Sequence, residues 1–143
     1  MNLGQNNAAT VLNQPFGYPI RFTTLAAGGT STNNLTTQAQ ANFVAQKLTM
    51  FADVAGAAQT DSSRVLPLCT IQMTDASGNN YFQEATPLPC IFGSAELPYF
   101  LTTPITVQAR SNLIITLANY SAATTYANVY LFFWGNKVFL DGF

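Results

Sequence analysis

The chain has 143 residues, enough for one domain with a real core, and only 8% of them are charged, against about 25% in an ordinary soluble domain. The five basic residues (Arg21, Lys47, Arg64, Arg110, Lys137) and six acidic ones (Asp53, Asp61, Asp75, Glu84, Glu96, Asp141) stand singly, for a net charge of −1. That leaves neither a basic stripe for nucleic acid nor a polybasic patch for an anionic membrane, and no histidine to serve as general base or metal ligand.

In chain order, residues 1–42 read as an extended N-terminal arm, polar and of low complexity, with an edge strand at 16–24 that pins it; a frayed terminus competes with this reading. Within that strand Phe16, Tyr18, Ile20 and Phe22 alternate, and Pro19 is tolerable only at a sheet edge or bulge. Residues 43–143 read as the folded domain with a C-terminal tail. Phe43 to Val54 predicts a strand, with a short helix as competitor. Cys69, Ile71 and Met73 alternate with Thr70, Gln72 and Thr74, the signature of a half-buried strand.

Asp75 to Asn80 predicts a hairpin loop from which Tyr81 to Thr86 returns. A short piece from Pro98 to Thr102 precedes a strand begun by Pro104, and Leu113, Ile115 and Leu117 share one face of the next. Asn128 to Trp134 is apolar at every position from Val129, which predicts a central strand covered on both sides. Gly135-Asn136 predicts a turn into Lys137 to Leu140. Seven or eight short strands, turn signals between them and no long helix make the chain all-β: an antiparallel β-sandwich, jelly-roll-like, behind its arm.

Catalytic chemistry finds no support. There is no Gly-x-Ser-x-Gly, Cys69 and Cys90 stand 21 positions apart without a paired-cysteine motif, and Asp75 to Asn80 lacks the bidentate acid of a calcium loop. No catalytic, cofactor or metal residue is assigned, and no enzyme activity is expected. The two cysteines are expected as buried, reduced thiols. Asn34-Leu-Thr and Asn119-Tyr-Ser match the glycosylation sequon, but without a secretory signal both read as coincidence. The aromatic residues, Tyr130, Phe132 and Trp134 among them, are expected in the core.

Thr, Asn, Gln and Ser supply about a third of the chain, a neutral polar surface whose burial against neighbours costs little desolvation. The polar start and apolar end point to contacts with other subunits, and Phe16, Tyr18, Ile20, Phe22, Phe139, Leu140 and Phe143 are the candidate interface residues.

The stretch Ile91-Phe-Gly-Ser-Ala-Glu-Leu-Pro98, Leu101-Thr-Thr-Pro104, Arg110-Ser-Asn112 and Val129-Tyr-Leu-Phe-Phe-Trp-Gly-Asn-Lys137, with the hairpin before it, resembles the small β-sandwich head decoration or cement proteins of tailed bacteriophages. The resemblance covers about two-thirds of the chain and rests on layout and turn motifs. It implies a structural virion protein on the capsid surface, assembled in the host cytoplasm, that bridges major capsid subunits. Its partners would be the major capsid protein and copies of itself, as a dimer or trimer, with no nucleic acid and no membrane. The alternatives are a tail, neck or head-fibre component, or a carbohydrate-binding sandwich, which would require exposed aromatic side chains on one face.

Overall fold

A computed structural model describes residues 13–55, 66–94 and 97–139. The chain forms two four-stranded antiparallel sheets that pack face to face. The strands are β1 (Asn13–Leu25), β2 (Thr30–Thr36), β3 (Ala41–Val54), β4 (Cys69–Asp75), β5 (Thr86–Pro87), β6 (Tyr99–Val107), β7 (Asn112–Asn119) and β8 (Tyr126–Phe139). The first sheet runs β1-β8-β3-β6 and the second β2-β7-β4-β5. An all-β sandwich is thus what the alternating patterns build.

The core lies between the sheets. Val129, Leu131 and Phe133 of β8 meet Phe43, Ala45 and Leu48 of β3 from one side, and Ile71, Met73, Leu113, Ile115 and Leu117 of the second sheet from the other. Phe92 packs edge-on against Phe133, with ring centroids 5.5 Å apart. Strict alternation in β4 and β7 sends every second residue inward, and their polar partners outward.

Over residues 13–42 the expected arm is instead part of the sandwich: the edge strand expected at 16–24 is β1, and β2 is a second strand where the sequence reads as arm. β1 pairs with β8 from Asn13 to Leu25, and β2 pairs with β7 from Thr30 to Thr36. Both are edge strands, so one apolar residue in two suffices, and threonine suits a pleated surface despite its polarity. Ile20, Phe22, Leu25 and Leu35 enter the core. Thr24 adopts φ 52°, a local kink that lets Leu25 point inward three residues after Phe22. Pro19 stands on the edge strand, as its missing N–H requires.

Three turn expectations change. The return from the Asp75 hairpin is only two residues of strand, Thr86–Pro87. The Gln72 amide replaces part of the ladder, donating to Phe82 O (3.0 Å) and accepting from Phe82 N (3.3 Å) and Met73 N (3.1 Å). The pieces on either side of Pro104 are one edge strand, β6, whose pairing with β3 skips residues 101–104 between Phe100 and Ile105. Gly135 and Asn136 lie inside β8, which runs unbroken to Phe139. A side chain at Gly135 would overlap the Val44 carbonyl oxygen, so glycine serves close strand approach beside the Ala45/Lys47 bulge, not a turn.

Candidate functional site: an outward-facing aromatic face

β8 is central, between β1 and β3, but among the described residues it is covered on one side only. Register decides which residues face out. Tyr130 stands opposite Arg21 on β1 and Phe51 on β3; Phe132 opposite Pro19 and Thr49; Trp134 opposite Gly17 and Lys47. Lys47 in turn pairs with Phe100 on β6. These residues make the outer face of the first sheet. Phe51 is 38% exposed, Trp134 39% and Phe100 65%. The core placement expected of Phe100, Tyr130, Phe132 and Trp134 is therefore corrected: a central strand that is apolar on both faces has one face here that nothing among the described residues covers.

The rings are organised. Phe132 and Trp134 stack at 5.9 Å and 21°, and both lie against Gly17, where a Cβ would overlap Phe132 Cζ and stand 2.9 Å from Trp134 Cε3. Glycine on β1 makes the hollow that lets the two rings lie down. Phe51 and Tyr130 contact at 6.2 Å. The cations lie over rings: the Arg21 guanidinium 5.5 Å from the Tyr130 centroid, and Lys47 Nζ 5.9 Å from that of Phe100.

Arg21 is held in place. Its Nε and Nη2 donate to Asn128 Oδ1 at 3.0 and 2.8 Å, and Asn128 donates from N and Nδ2 to Asp53 Oδ1 at 3.0 and 3.2 Å. Asp53 is fully buried, and its Oδ2 has no hydrogen-bond partner. The carboxylate thus serves the amide, the amide serves the guanidinium, and the face presents aromatic rings flanked by two cations.

The second sheet offers a different exterior. Thr30, Thr32, Asn34 and Thr36 of β2, Asn112, Ile114 and Thr116 of β7, and Thr70, Gln72 and Thr74 of β4 form cross-strand rows. Thr32 and Thr116 share a hydrogen bond of 3.1 Å, and Thr36 donates to Asn112 Oδ1 at 2.8 Å. The neutral polar surface read from composition is concentrated here.

The sequence-derived interface residues divide. Phe16, Tyr18 and Phe139 gather at one end of the sandwich around Lys137, whose Nζ lies 4.2 Å from the Phe16 centroid and 5.4 Å from that of Phe139 and donates to Gln38 Oε1 at 3.0 Å. Tyr18 sits edge-on to Phe16 at 4.9 Å and to Phe43 at 4.7 Å, and burial raises its pKa, partly offset by a backbone hydrogen bond at Gln38. Ile20 and Phe22 are spent on the core, 5% and 2% exposed, so neither side chain is free to meet a partner. Leu140 and Phe143 lie outside the described residues.

Elsewhere, a polar notch of about 210 Å³ opens at one end of the sandwich between Asp75, Ser77 and Tyr81 and Gln108, Ser111 and Asn112. Burial and then the Asp75 charge raise the Tyr81 pKa. Asp75 Oδ1 is already committed, accepting from Ser77 N and Asn79 N at 2.9 Å each, the turn chemistry expected of that hairpin. Among the described residues no group of three or more Cys, Asp or Glu side chains gathers as a metal site. Cys69 and Cys90 are both free thiols, and Cys90 is exposed where burial was expected. Asn119, one of the two sequon asparagines, is buried and donates to Leu25 O (3.1 Å) and Thr124 O (2.8 Å).

No protein-family model matches the sequence, and no curated protein does. Among solved structures, the crystal structure of the exo-β-1,3-galactanase Pc1,3Gal43A from Phanerochaete chrysosporium with galactose matches 85% of this chain. The match spans 29% of that enzyme's chain at 10% identity and a TM-score of 0.28, a likeness that carries no argument. What the chain presents for function is therefore its own surface: one aromatic face, one neutral hydroxyl and amide face, and an end where an ammonium sits among rings.

Proposed function

We propose that the chain is a structural virion protein that binds and stabilises the outside of an icosahedral bacteriophage capsid by bridging major capsid subunits. One observation supports this reading most. The outer face of the first sheet displays Phe51, Phe100, Tyr130, Phe132 and Trp134 on a chain with very few charges. A monomer that works alone in water keeps charges interspersed and apolar patches small, because an exposed aromatic patch drives association. Aromatic side chains with arginine are also the residues that concentrate binding energy in protein interfaces. The second face, rich in threonine and asparagine, lets a neutral wall be buried with its hydrogen bonds satisfied.

The test is particle imaging with and without the chain. The reading predicts density for the sandwich on the outer shell, in contact with major capsid subunits, and shells that lose heat resistance when it is missing. Density confined to tail, neck or fibre, or none at all, refutes it.

A carbohydrate-binding sandwich has one observation in its favour, since aromatic side chains do lie exposed on a single face. Sugar recognition also needs convergent polar groups. On this face Asn128 is already engaged, accepting from Arg21 and donating to the bonded oxygen of Asp53. Saturable binding on a glycan array, lost on replacing Trp134 by Ala, would favour the sugar reading.

A further inference from the structure

We infer that the outer face of the first sheet closes against the same face of a second copy, in a two-fold dimer with the strands of the two sheets aligned. The inference does not depend on the capsid reading; where both hold, the dimer takes the aromatic face and the hydroxyl and amide face of the second sheet is left for capsid subunits.

The argument starts from the placement of charge. On the grid set by the strand register, Arg21 lies one strand to one side of β8 at the level of Tyr130. Lys47 lies one strand to the other side at the level of Trp134. The remaining corners of this square are Phe51, beside Tyr130, and Gly17, beside Trp134. The Gly17 corner is roofed by the Phe132 and Trp134 rings.

A two-fold axis in the plane of the face, along β8, sets Arg21 of one copy against Phe51 of the other and Lys47 against the rings over Gly17. An axis across the strands at Phe132 makes the complementary exchange, Arg21 against those rings and Lys47 against Phe51. In both aligned arrangements every cation meets an aromatic ring and no cation meets a cation. Orthogonal packing, with the axis on a diagonal of the square, brings the cations onto themselves or onto each other. Sheets that pack face to face use either the aligned or the orthogonal geometry, so the charges select the aligned one. Among the described residues Asp53 is the one carboxylate on the grid, and it is buried and bound by Asn128, so it offers no counter-charge. Cation–ring contacts are then the attractive polar interactions this face can make with itself.

From Asn128 to Asn136 the face is about 27 Å long, and β1, β8 and β3 make it about 14 Å wide, with β6 widening it only beside Phe43 to Leu48, so its flat footprint is roughly 400–450 Å². Projecting rings raise the accessible area above that, the size of a small interface rather than the ~800 Å² per partner of a standard one.

The experiment is sedimentation velocity on the purified full chain across about 1 to 100 µM, with Trp134→Lys, Phe51→Lys and the conservative Trp134→Phe. Circular dichroism and thermal melts accompany each variant to confirm folding, and the two lysine variants, on different strands, guard against one of them failing to fold. Each sets an ammonium against Arg21 or Lys47 of the other copy, so the inference predicts a dimer for the parent and for Trp134→Phe, and a dissociation constant raised at least ~100-fold in a folded lysine variant. A parent that stays monomeric throughout that range overturns it, and so does a dimer that persists in a folded Phe51→Lys or Trp134→Lys chain. A monomeric parent that still binds capsids would overturn the dimer and leave the capsid reading standing.

Discussion

Gly135→Ala separates the strand reading of this position from the turn reading that its Gly-Asn sequence suggests. In β8 the new Cβ would overlap the Val44 carbonyl oxygen and approach Val44 C to 2.8 Å and Ala45 Cα to 2.9 Å, all of them backbone atoms of the paired strand. Ordinary contact needs about 3.4 Å, so β3 must withdraw by at least roughly half an ångström where it is bonded to β8. Overpacking of this kind costs about 1–3 kcal/mol. Stretching the two flanking ladder bonds adds about 1 kcal/mol each. The reduced freedom of the unfolded alanine chain returns about 0.4–1 kcal/mol. The net is about 2–4 kcal/mol, which for a chain of this length lowers Tm by about 6–16 °C. Far-UV circular dichroism melts read it directly. A Tm that is unchanged or raised would refute the packing argument, since alanine in an open turn without left-handed geometry stabilises slightly.

Other consequences follow from buried groups. Asn119→Ala removes donors to Leu25 O and Thr124 O and the acceptor for Ser121 N at 3.0 Å, and should cost about 2–4 kcal/mol by urea unfolding, with nearby loop amides exchanging first. Ellman's reagent should find one reactive thiol per folded chain, Cys90, and a second only in denaturant, because Cys69 is buried. Burial pushes the Cys69 pKa from 9.0 up to about 11, so the folded chain holds that proton more tightly than the unfolded one. Stability is therefore insensitive to this group at neutral pH and falls as pH rises from about 9 through about 11; a Cys69→Ala chain should show a shallower alkaline decline in urea midpoints. Lys137→Met should leave the fold intact and cost little, since two rings and one amide, not a carboxylate, hold the ammonium; a loss above about 3 kcal/mol would contradict that account.

Much of the sandwich was legible because alternation is a strong signal where one face is buried. β4 and β7 could be read residue by residue from Cys69-x-Ile71-x-Met73 and Leu113-x-Ile115-x-Leu117. β1 and β2 were harder, because edge strands need few apolar residues and Asn, Thr and Gly mimic the composition of an arm. Gly135-Asn136 carries the chemistry of a turn, and only the approach of Val44 explains why it continues a strand.

The aromatic face was half legible. The apolar run through Trp134 correctly placed β8 at the centre of its sheet, but the pattern does not say whether the second cover comes from the same chain. Arg21 and Lys47 cannot be assigned to that face without the register, which rests on the distant pairings Arg21–Tyr130 and Lys47–Trp134. The opposite error befell Ile20 and Phe22, whose spacing marks a buried side and whose burial is internal.

Trp134 is the chain's only tryptophan and stands on the face in question, so its fluorescence reports on the central claim that this face is covered in the working protein. Acrylamide quenching should be measured on the free chain across about 1 to 100 µM and on the chain bound in particles. The account predicts readily quenched emission in the dilute chain, and a blue shift with several-fold weaker quenching as copies associate, retained in the particle. Emission that is equally quenchable at every concentration and in the particle would show the face open to water, and would contradict the account.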